Sequence, residues 1–156
     1  AKGFDMEVYA FDPYCPDDVM KKDDVTPVAS AEELYKTCQF VSLHIPATAE
    51  TKQSINYSLL SLMPKGALLI NTARKEVIYE EDLARTLEER TDFHYVADVA
   101  PTIADTLKEK FGNRVFFTPK KMGAQTAEAN INAGIAAARQ SVGYLKDGID
   151  KFRVNK

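Results

Sequence analysis

The sequence predicts an α/β domain built on a parallel, doubly wound β-sheet. Strand-like and helix-like segments alternate along the chain, which is the pattern of repeated βα units. With 156 residues, of which 45% are hydrophobic and 28% charged, the chain is long enough for one globular domain with a real core. Several strand-like segments end abruptly in polar or charged residues. Because ligands of open parallel sheets bind beyond the carboxyl ends of the strands, where the strand order reverses, this pattern predicts a binding crevice.

The first strand is predicted over residues 6–11 and ends at Asp12 and Pro13, since proline cannot continue a ladder. Gly3 is expected to end a preceding helix as its C-cap. The polar, proline-containing segment 14–24 allows at most one short helix. The chain thus looks like a fragment that begins in the last turn of a helix.

The following segments continue the alternation. Residues 25–29 predict a short edge strand, which tolerates its proline. Ser30 and Glu33 form a capping-box pattern that opens a helix through about Cys38. The remaining predicted elements are, in order, a strand at 40–44, a helix near 56–63, a strand at 67–71, a helix at 79–90, a strand at 94–98, a helix near 104–110 and a strand at 115–118.

The last helix is predicted from a continuous apolar stripe, which Gly148 ends. The stripe consists of Ile131, Ile135, Ala138, Val142 and Leu145. Residues 147–156 are expected to pack elsewhere, so the core of the domain is predicted at 1–146.

Composition excludes several classes of function. A net charge of −3 without a basic stripe argues against nucleic acid as a partner. No apolar run approaches the roughly 20 residues of a membrane span, and residues 1–4 are not expected to belong to a signal peptide, because no apolar segment of the required kind follows them. Cys15 and Cys38 follow no pattern, which favours reduced thiols in a cytoplasmic protein. No metal site is predicted.

The candidate functional residues are predicted to lie together where the strands end. The residues just past the five main strands are Asp12, His44 with Pro46, Thr72-Ala73-Arg74, Asp98, and Lys120-Lys121. In one parallel sheet these residues share one edge. They therefore predict a single crevice.

Four of these residues suit a chemical role and also have an ordinary alternative. Asp12 suits the ribose hydroxyls of a dinucleotide, and its charge favours NAD over NADP; the alternative is a surface Asp-Pro turn. Arg74 suits a bidentate grip on a carboxylate or 2-oxo acid, or else makes surface contacts at a helix start. Lys121 suits a proton donor if Arg74 lowers its pKa, or else belongs to a solvated turn. His44 is either an acid/base or structural, and His94 is expected to be inert.

A family resemblance rests on four motifs in a fixed order. They are His44-Ile45-Pro46-Ala47-Thr48-Ala49-Glu50-Thr51, Asn71-Thr72-Ala73-Arg74, Asp98-Val99, and Thr118-Pro119 through Gly123-Ala124. Together they resemble the nucleotide-binding domain of the D-2-hydroxyacid dehydrogenases, above all the branch that oxidises 3-phosphoglycerate. The resemblance implies a Rossmann-like fold without its first strand and glycine loop, NAD as cofactor, and a small 2-hydroxy or 2-oxo acid as substrate. It also implies a second, substrate-binding domain and a homodimer in the full-length protein.

The resemblance further implies roles for individual residues. Asp12, with Pro13, would bind the adenosine ribose of NAD. The loop that contains His44, Ile45, Pro46 and Thr51 would line the cofactor site. Thr72 and Ala73 would approach the nicotinamide, Asp98 its carboxamide, and Arg74 the carboxylate and oxo group of the substrate.

The chain differs from the family pattern at two linked positions. Lys121 stands where the family usually has its acid/base histidine, and Ile103 stands where it usually has a glutamate. A lysine acid needs a lowered pKa, which an adjacent carboxylate would raise, so losing the glutamate suits a lysine. Lys121 and Arg74 are therefore the predicted catalytic residues. Lys75-Glu76 and Tyr79 are smaller differences, and Tyr79 replaces a common N-capping aspartate.

Two hypotheses follow. The first is an NAD-dependent dehydrogenase acting on a D-2-hydroxyacid, with 3-phosphoglycerate in serine synthesis as the favoured case. The alternative is a non-catalytic, NAD-binding regulatory protein on the same fold. In either case, the 156 residues alone are expected to bind NAD weakly and to be inactive.

Overall fold

A computed structural model describes residues 1–119, 126–151 and 153 of the chain. They form two compact units, Ala1–Lys120 and Lys121–Lys156, which are described separately below. The strands are β1 (Tyr9–Ala10), β2 (Thr26–Pro27), β3 (Phe40–Leu43), β4 (Leu68–Asn71), β5 (His94–Ala97) and β6 (Val115–Phe117). The helices are α1 (Asp17–Lys22), α2 (Ala31–Thr37), α3 (Tyr57–Leu60), α4 (Glu80–Glu89), α5 (Ala104–Phe111) and α6 (Ala127–Asp147), with short 3-10 helices at Lys2–Phe4, Lys75–Val77 and Gly112–Arg114.

The main sheet contains β3, β4, β5 and β6, all parallel and in chain order. This confirms the predicted parallel α/β fold and four of its five predicted main strands. Leu43, Asn71, Ala97 and Phe117 lie level with one another in the register. All four strands therefore end at the same edge.

One face of this sheet carries the hydrophobic core. Val41, Leu69 and Tyr95 alternate inwards along their strands and are at most 3% exposed. They belong to one apolar cluster with buried side chains of the helices, namely Tyr35, Leu60, Leu83, Leu87 and Leu107. The other face is more open, since Phe40 and Phe116 are 48% and 59% exposed.

The prediction that Asp12 ends a strand of the same sheet is wrong. β1 pairs in parallel with β2 in a separate two-stranded sheet, and among the described residues neither strand joins the main sheet. β1 is also shorter than the predicted 6–11. Its ladder with β2 pairs only Tyr9 with Thr26 and Ala10 with Pro27, so residues 6–8 and 11 lie outside the strand.

Local capping follows the sequence signals in most places. Ser30 Oγ accepts a hydrogen bond from the N–H of Glu33 at 3.1 Å, while the Glu33 carboxylate accepts one from Ala29 at 2.9 Å. Gly148 ends α6 with φ 66°. The Gly3 prediction is wrong, because Asp5, with φ 55°, is the left-handed residue that ends the short helix Lys2–Phe4.

The loops at the amino edge of the main sheet are fixed by an arginine–aspartate pair. Arg90 Nη2 lies 2.7 Å from Asp92 Oδ2, and the same oxygen accepts the backbone N–H of Gly66 at 2.7 Å. Arg90 also donates to the carbonyls of Met63 and Pro64, both at 2.8 Å. The guanidinium and the Gly66 N–H lower the pKa of Asp92 to about 2.

The second unit is described by α6 alone. Thr126 Oγ1 accepts the backbone N–H of Ala129 at 3.0 Å and caps the start of the helix. Its predicted apolar stripe is present, and Ile131, Ile135, Val142 and Leu145 are 44–81% exposed. In the part of the chain that the structure describes, no helix combines the length and hydrophobicity needed to cross a membrane.

Candidate functional site

The carboxyl edge of the main sheet brings together most of the predicted site residues. His44, Thr72, Asp98 and Thr118 directly follow β3, β4, β5 and β6. The hydrogen bonding continues one residue beyond the strands, from Asp98 N to Asn71 O and from Thr118 N to Ala97 O, both at 3.2 Å. Thr118 Oγ1 donates to the carbonyl of Asp98 at 2.8 Å. The predicted convergence therefore holds for the segments after these four strands.

The turn after β4 is built around the side chain of Asn71. This residue ends the strand and is only 1% exposed. Its Oδ1 accepts the backbone N–H of Ala73 at 3.0 Å, and its Nδ2 donates to the carbonyl of Arg74 at 2.9 Å. The phenol of Tyr95, whose pKa burial raises to about 12, lies 3.5 Å from Nδ2. Asn71 belongs to a motif of the family resemblance but had no predicted role, although a polar residue at the end of an apolar strand indicates one.

Arg74 is exposed at the end of this turn. Its Nη1 donates to the carbonyl of Ala73 at 2.9 Å. It makes no ion pair with any carboxylate in the described residues. A guanidinium in this state can take a carboxylate ligand without first breaking a salt bridge.

Asp98 is half-buried and presents an unsatisfied acceptor. Its Oδ1 is buried and has no hydrogen-bond partner among the described residues. Buried polar atoms are nearly always hydrogen-bonded, so an orphan acceptor at a ligand-binding edge suits a ligand N–H group. The carboxamide that the resemblance assigned to Asp98 is such a donor.

The loop after β3 is held by its own side chains. Ser42 Oγ lies 3.0 Å from His44 Nε2, and both side chains are exposed. The Thr51 hydroxyl donates to the carbonyl of Pro46 and accepts the N–H of Thr48 at 2.8 Å. Ile45 packs against the core. His44 and Pro46 are thus presented at the edge, while the hydroxyl of Thr51 shapes the loop.

Asp12 is exposed and forms the Asp-Pro turn that was its ordinary alternative. Its Oδ1 accepts the backbone N–H of Tyr14 at 2.9 Å. Pro13 is exposed beside it. One carboxylate oxygen thus fixes the turn and the other remains for a ligand, so the turn is compatible with ribose binding.

The loop before α5 is anchored by Glu80, a residue for which no role was predicted from the sequence. Glu80 Oε1 accepts the N–H of Thr102 at 2.7 Å, and Oε2 accepts the N–H of Ile103 at 3.3 Å. Residue 103 is an isoleucine whose side chain packs against the core, so the carboxylate that contacts this loop is that of Glu80. Lys120 and Lys121 lie outside the described residues. The predicted pairing of Lys121 with Arg74 stays a prediction.

An open groove lies next to the Arg74 turn. Its lining residues are Lys52, Gln53, Lys75, Glu76, Ile78, Tyr79, Glu80, Glu81, Thr102 and Ile103. Backbone hydrogen bonds from Gln53 to Glu76 and from Ile55 to Val77, at 2.9 and 3.0 Å, join the segments 53–55 and 76–77. The turn that carries Arg74 therefore lies beside this groove, which Lys75 lines directly after it.

The parallel sheet, the fixed turn with its exposed arginine and the orphan acceptor define a ligand-binding α/β domain of the dinucleotide-binding class. Residues 1–119 match the model of the NAD-binding domain of the D-isomer-specific 2-hydroxyacid dehydrogenases. The chain belongs to this family. The Rossmann-like fold, the family resemblance and the NAD prediction are thereby confirmed.

Several relatives carry the name D-3-phosphoglycerate dehydrogenase. The Haemophilus influenzae protein is 32% identical over 99% of this chain and 38% of its own length. The chloroplastic enzyme 2 of Arabidopsis thaliana is 37% identical over 99% of this chain and 25% of its own length. The crystal structure of NAD⁺-bound 3-phosphoglycerate dehydrogenase from Entamoeba histolytica matches with a TM-score of 0.84 and 44% identity, over 99% of this chain and 49% of that one. The chain thus spans between a quarter and half of the length of these relatives.

Proposed function

We propose that this chain is the cofactor-binding domain of an NAD-dependent dehydrogenase that interconverts a D-2-hydroxyacid and its 2-oxo acid. The favoured pair is 3-phosphoglycerate and 3-phosphohydroxypyruvate, the reaction that feeds serine synthesis. The observation that carries the proposal is the exposed guanidinium of Arg74 on a fixed turn, at the same sheet edge as the free acceptor of Asp98. The names of the relatives support the choice of substrate.

The residues would divide the work as follows. Asp98 would accept a hydrogen bond from the nicotinamide carboxamide, and Asp12 would bind the adenosine ribose. Arg74 would hold the carboxylate and the oxo group of the substrate. When bound, NAD supplies the hydride acceptor or donor. Lys121 would take the hydroxyl proton on oxidation and return a proton to the substrate oxygen on reduction.

The test is an assay of the full-length protein with NADH and phosphohydroxypyruvate. We expect oxidation of NADH, with a higher kcat/KM for the phosphorylated acid than for hydroxypyruvate or 2-oxoglutarate. Arg74→Ala should lower kcat/KM by about 100-fold or more, while Arg74→Lys should recover a small part of the loss, because lysine lacks the bidentate fork. A wild-type protein that binds NADH but turns over none of these acids would contradict the proposal.

The rival function, an NAD-binding regulatory protein without catalysis, rests on a different observation. Ile103 and Lys121 replace the two residues with which the family usually moves its proton. Such a protein would bind NADH tightly and show no turnover with any 2-oxo acid. The same assay, with NADH binding followed by its fluorescence, separates the two functions.

A further inference from the structure

We propose that Asn71 is a positioning residue that sets Arg74 for the substrate through two hydrogen bonds of its buried amide. The inference rests on the proposed function for its catalytic readout. It adds a residue to which the family resemblance assigned no role.

Asn71 is a polar exception in an apolar row. Its neighbours at the same level of the sheet are Leu43, Ala97 and Phe117, all at most 6% exposed. Leu69, two residues earlier on the same face, is fully buried. An apolar residue at position 71 would need no hydrogen bonds, whereas a buried amide costs free energy unless it is hydrogen-bonded. The amide therefore needs a reason beyond filling the core.

Two hydrogen bonds of the amide lead to the residues that hold the guanidinium, and its third partner is the phenol of Tyr95, 3.5 Å from Nδ2. Oδ1 fixes the N–H of Ala73, and Nδ2 fixes the carbonyl of Arg74. The carbonyl of Ala73 in turn accepts Nη1 of Arg74 at 2.9 Å. A displacement of Ala73 would therefore carry the guanidinium with it, and misplacement by about 1 Å can cost around 100-fold in rate.

Thr86, the other residue with a buried polar side chain among the described residues, differs from Asn71 in what it binds. The hydroxyl of Thr86 is fully buried and donates to the carbonyl of Asp82, 2.7 Å away within the same helix. That bond stabilises α4 and leads to no site. The hydrogen bonds of Asn71 to Ala73 and Arg74 instead join the end of β4 to the turn that carries Arg74.

A double-mutant cycle in the full-length protein tests the inference. Asn71→Leu keeps the branched shape of the side chain, with two larger methyl groups, and removes all hydrogen bonds of the amide. It should lower kcat/KM for the 2-oxo acid by about 30-fold while changing the NADH Kd by less than about threefold. In an Arg74→Ala background the same change should cost less than about threefold. An equal loss in both backgrounds would overturn the inference, because Asn71 would then not act through Arg74.

Two further measurements test the inference without measuring enzyme turnover. In the wild-type 156-residue chain, the backbone amide of Ala73 should be protected from hydrogen exchange. Asn71→Leu should lose this protection. Asn71→Asp should keep it, because the aspartate retains the acceptor oxygen. Oxalate, titrated against the nitrogen-15 resonance of Arg74 Nε, should bind at least about fivefold more weakly to Asn71→Leu. Unchanged protection and unchanged oxalate binding would overturn the inference. A wild-type enzyme without turnover that still gave both changes would overturn only the proposed function.

Discussion

Glu80, at the start of α4, caps the start of α5 by accepting the backbone N–H of Thr102 at 2.7 Å. The second carboxylate oxygen accepts the N–H of Ile103, which precedes α5 and offers no capping side chain of its own. A negative charge at a helix N-terminus also interacts favourably with the helix dipole. One side chain thus ties the loop that follows Asp98 to the helix that follows Arg74.

We expect Glu80→Ala to lower the free energy of unfolding by about 1–2 kcal/mol, because two backbone donors lose a charged acceptor. Glu80→Gln should lose roughly half as much, since one oxygen remains. Urea denaturation measures both. Glu88→Ala, an exposed change in the same helix, is the control and should stay within about 0.5 kcal/mol. A Glu80→Ala effect no larger than that of Glu88→Ala would show that the cap contributes nothing.

The sequence was sufficient to predict the helices and strands of the main sheet, because each leaves a local signal. Ser30 and Glu33 mark the start of α2, Gly148 marks the end of α6, and alternating apolar residues mark the strands. The separate two-stranded sheet was missed. Strand pairing depends on contacts between distant segments, and a two-residue strand such as β1 carries too few residues to specify its partner.

The candidate site was predicted less completely than the fold. The segments that contain His44, Arg74 and Asp98 were correctly placed at one edge, since parallel strands in register end together. The supporting residues Asn71 and Glu80 were not identified. Their partners are backbone groups of nearby turns, and sequence spacing does not reveal which side chain a backbone N–H will meet.

Stability at acidic pH should depend on Asp92. Its folded-state pKa of about 2 lies below the roughly 3.9 of a free aspartate, so it stabilises the fold above pH 4 and loses this contribution as the pH falls towards 2. We expect Asp92→Asn to lower the free energy of unfolding at pH 7 by about 1–2 kcal/mol. The effect is limited because the side chain of Asp92 is 28% exposed and therefore partly screened.

The measurement is a series of denaturation curves between pH 2 and 7. The difference between wild type and Asp92→Asn should shrink steadily below pH 4. Glu109→Gln, which changes an exposed carboxylate on α5, is the control measured over the same range. A wild-type-to-variant difference that is constant across this range would mean that Asp92 does not titrate with folding.

Cofactor choice should depend on Asp12. Its exposed carboxylate would repel the extra phosphate of NADP, so Asp12→Ser should reduce the preference for NAD over NADP by about tenfold or more. The ratio of kcat/KM with the two cofactors in the full-length protein measures the preference. Asp17→Ala, a nearby exposed carboxylate in α1, is the control. If both variants keep the wild-type ratio, Asp12 is only part of the Asp-Pro turn.

Proton transfer should depend on Lys121. Lys121→Ala and the closer match in length Lys121→Met should keep the NADH Kd within about threefold and lower kcat by at least about 100-fold. Lys120→Met is the matched control, since it removes a neighbouring charge, and it should retain most of the activity. Turnover of Lys121→Met within tenfold of wild type would mean that another group moves the proton.

Asp98 should show opposite effects on stability and on cofactor binding. Because Oδ1 is buried without a partner among the described residues, its desolvation is uncompensated, which costs roughly 1–3 kcal/mol for such a group. Asp98→Ala removes this cost, so the chain without cofactor should unfold at an equal or higher denaturant concentration than wild type. The same change removes the acceptor for the carboxamide, and the NADH Kd of the full-length protein should rise by about tenfold.

Thr118→Val is the matched control, because it removes the hydroxyl that binds the Asp98 carbonyl and leaves the carboxylate in place. An Asp98→Ala variant that is less stable and binds NADH as tightly as wild type would assign Asp98 to the fold and remove it from the cofactor site.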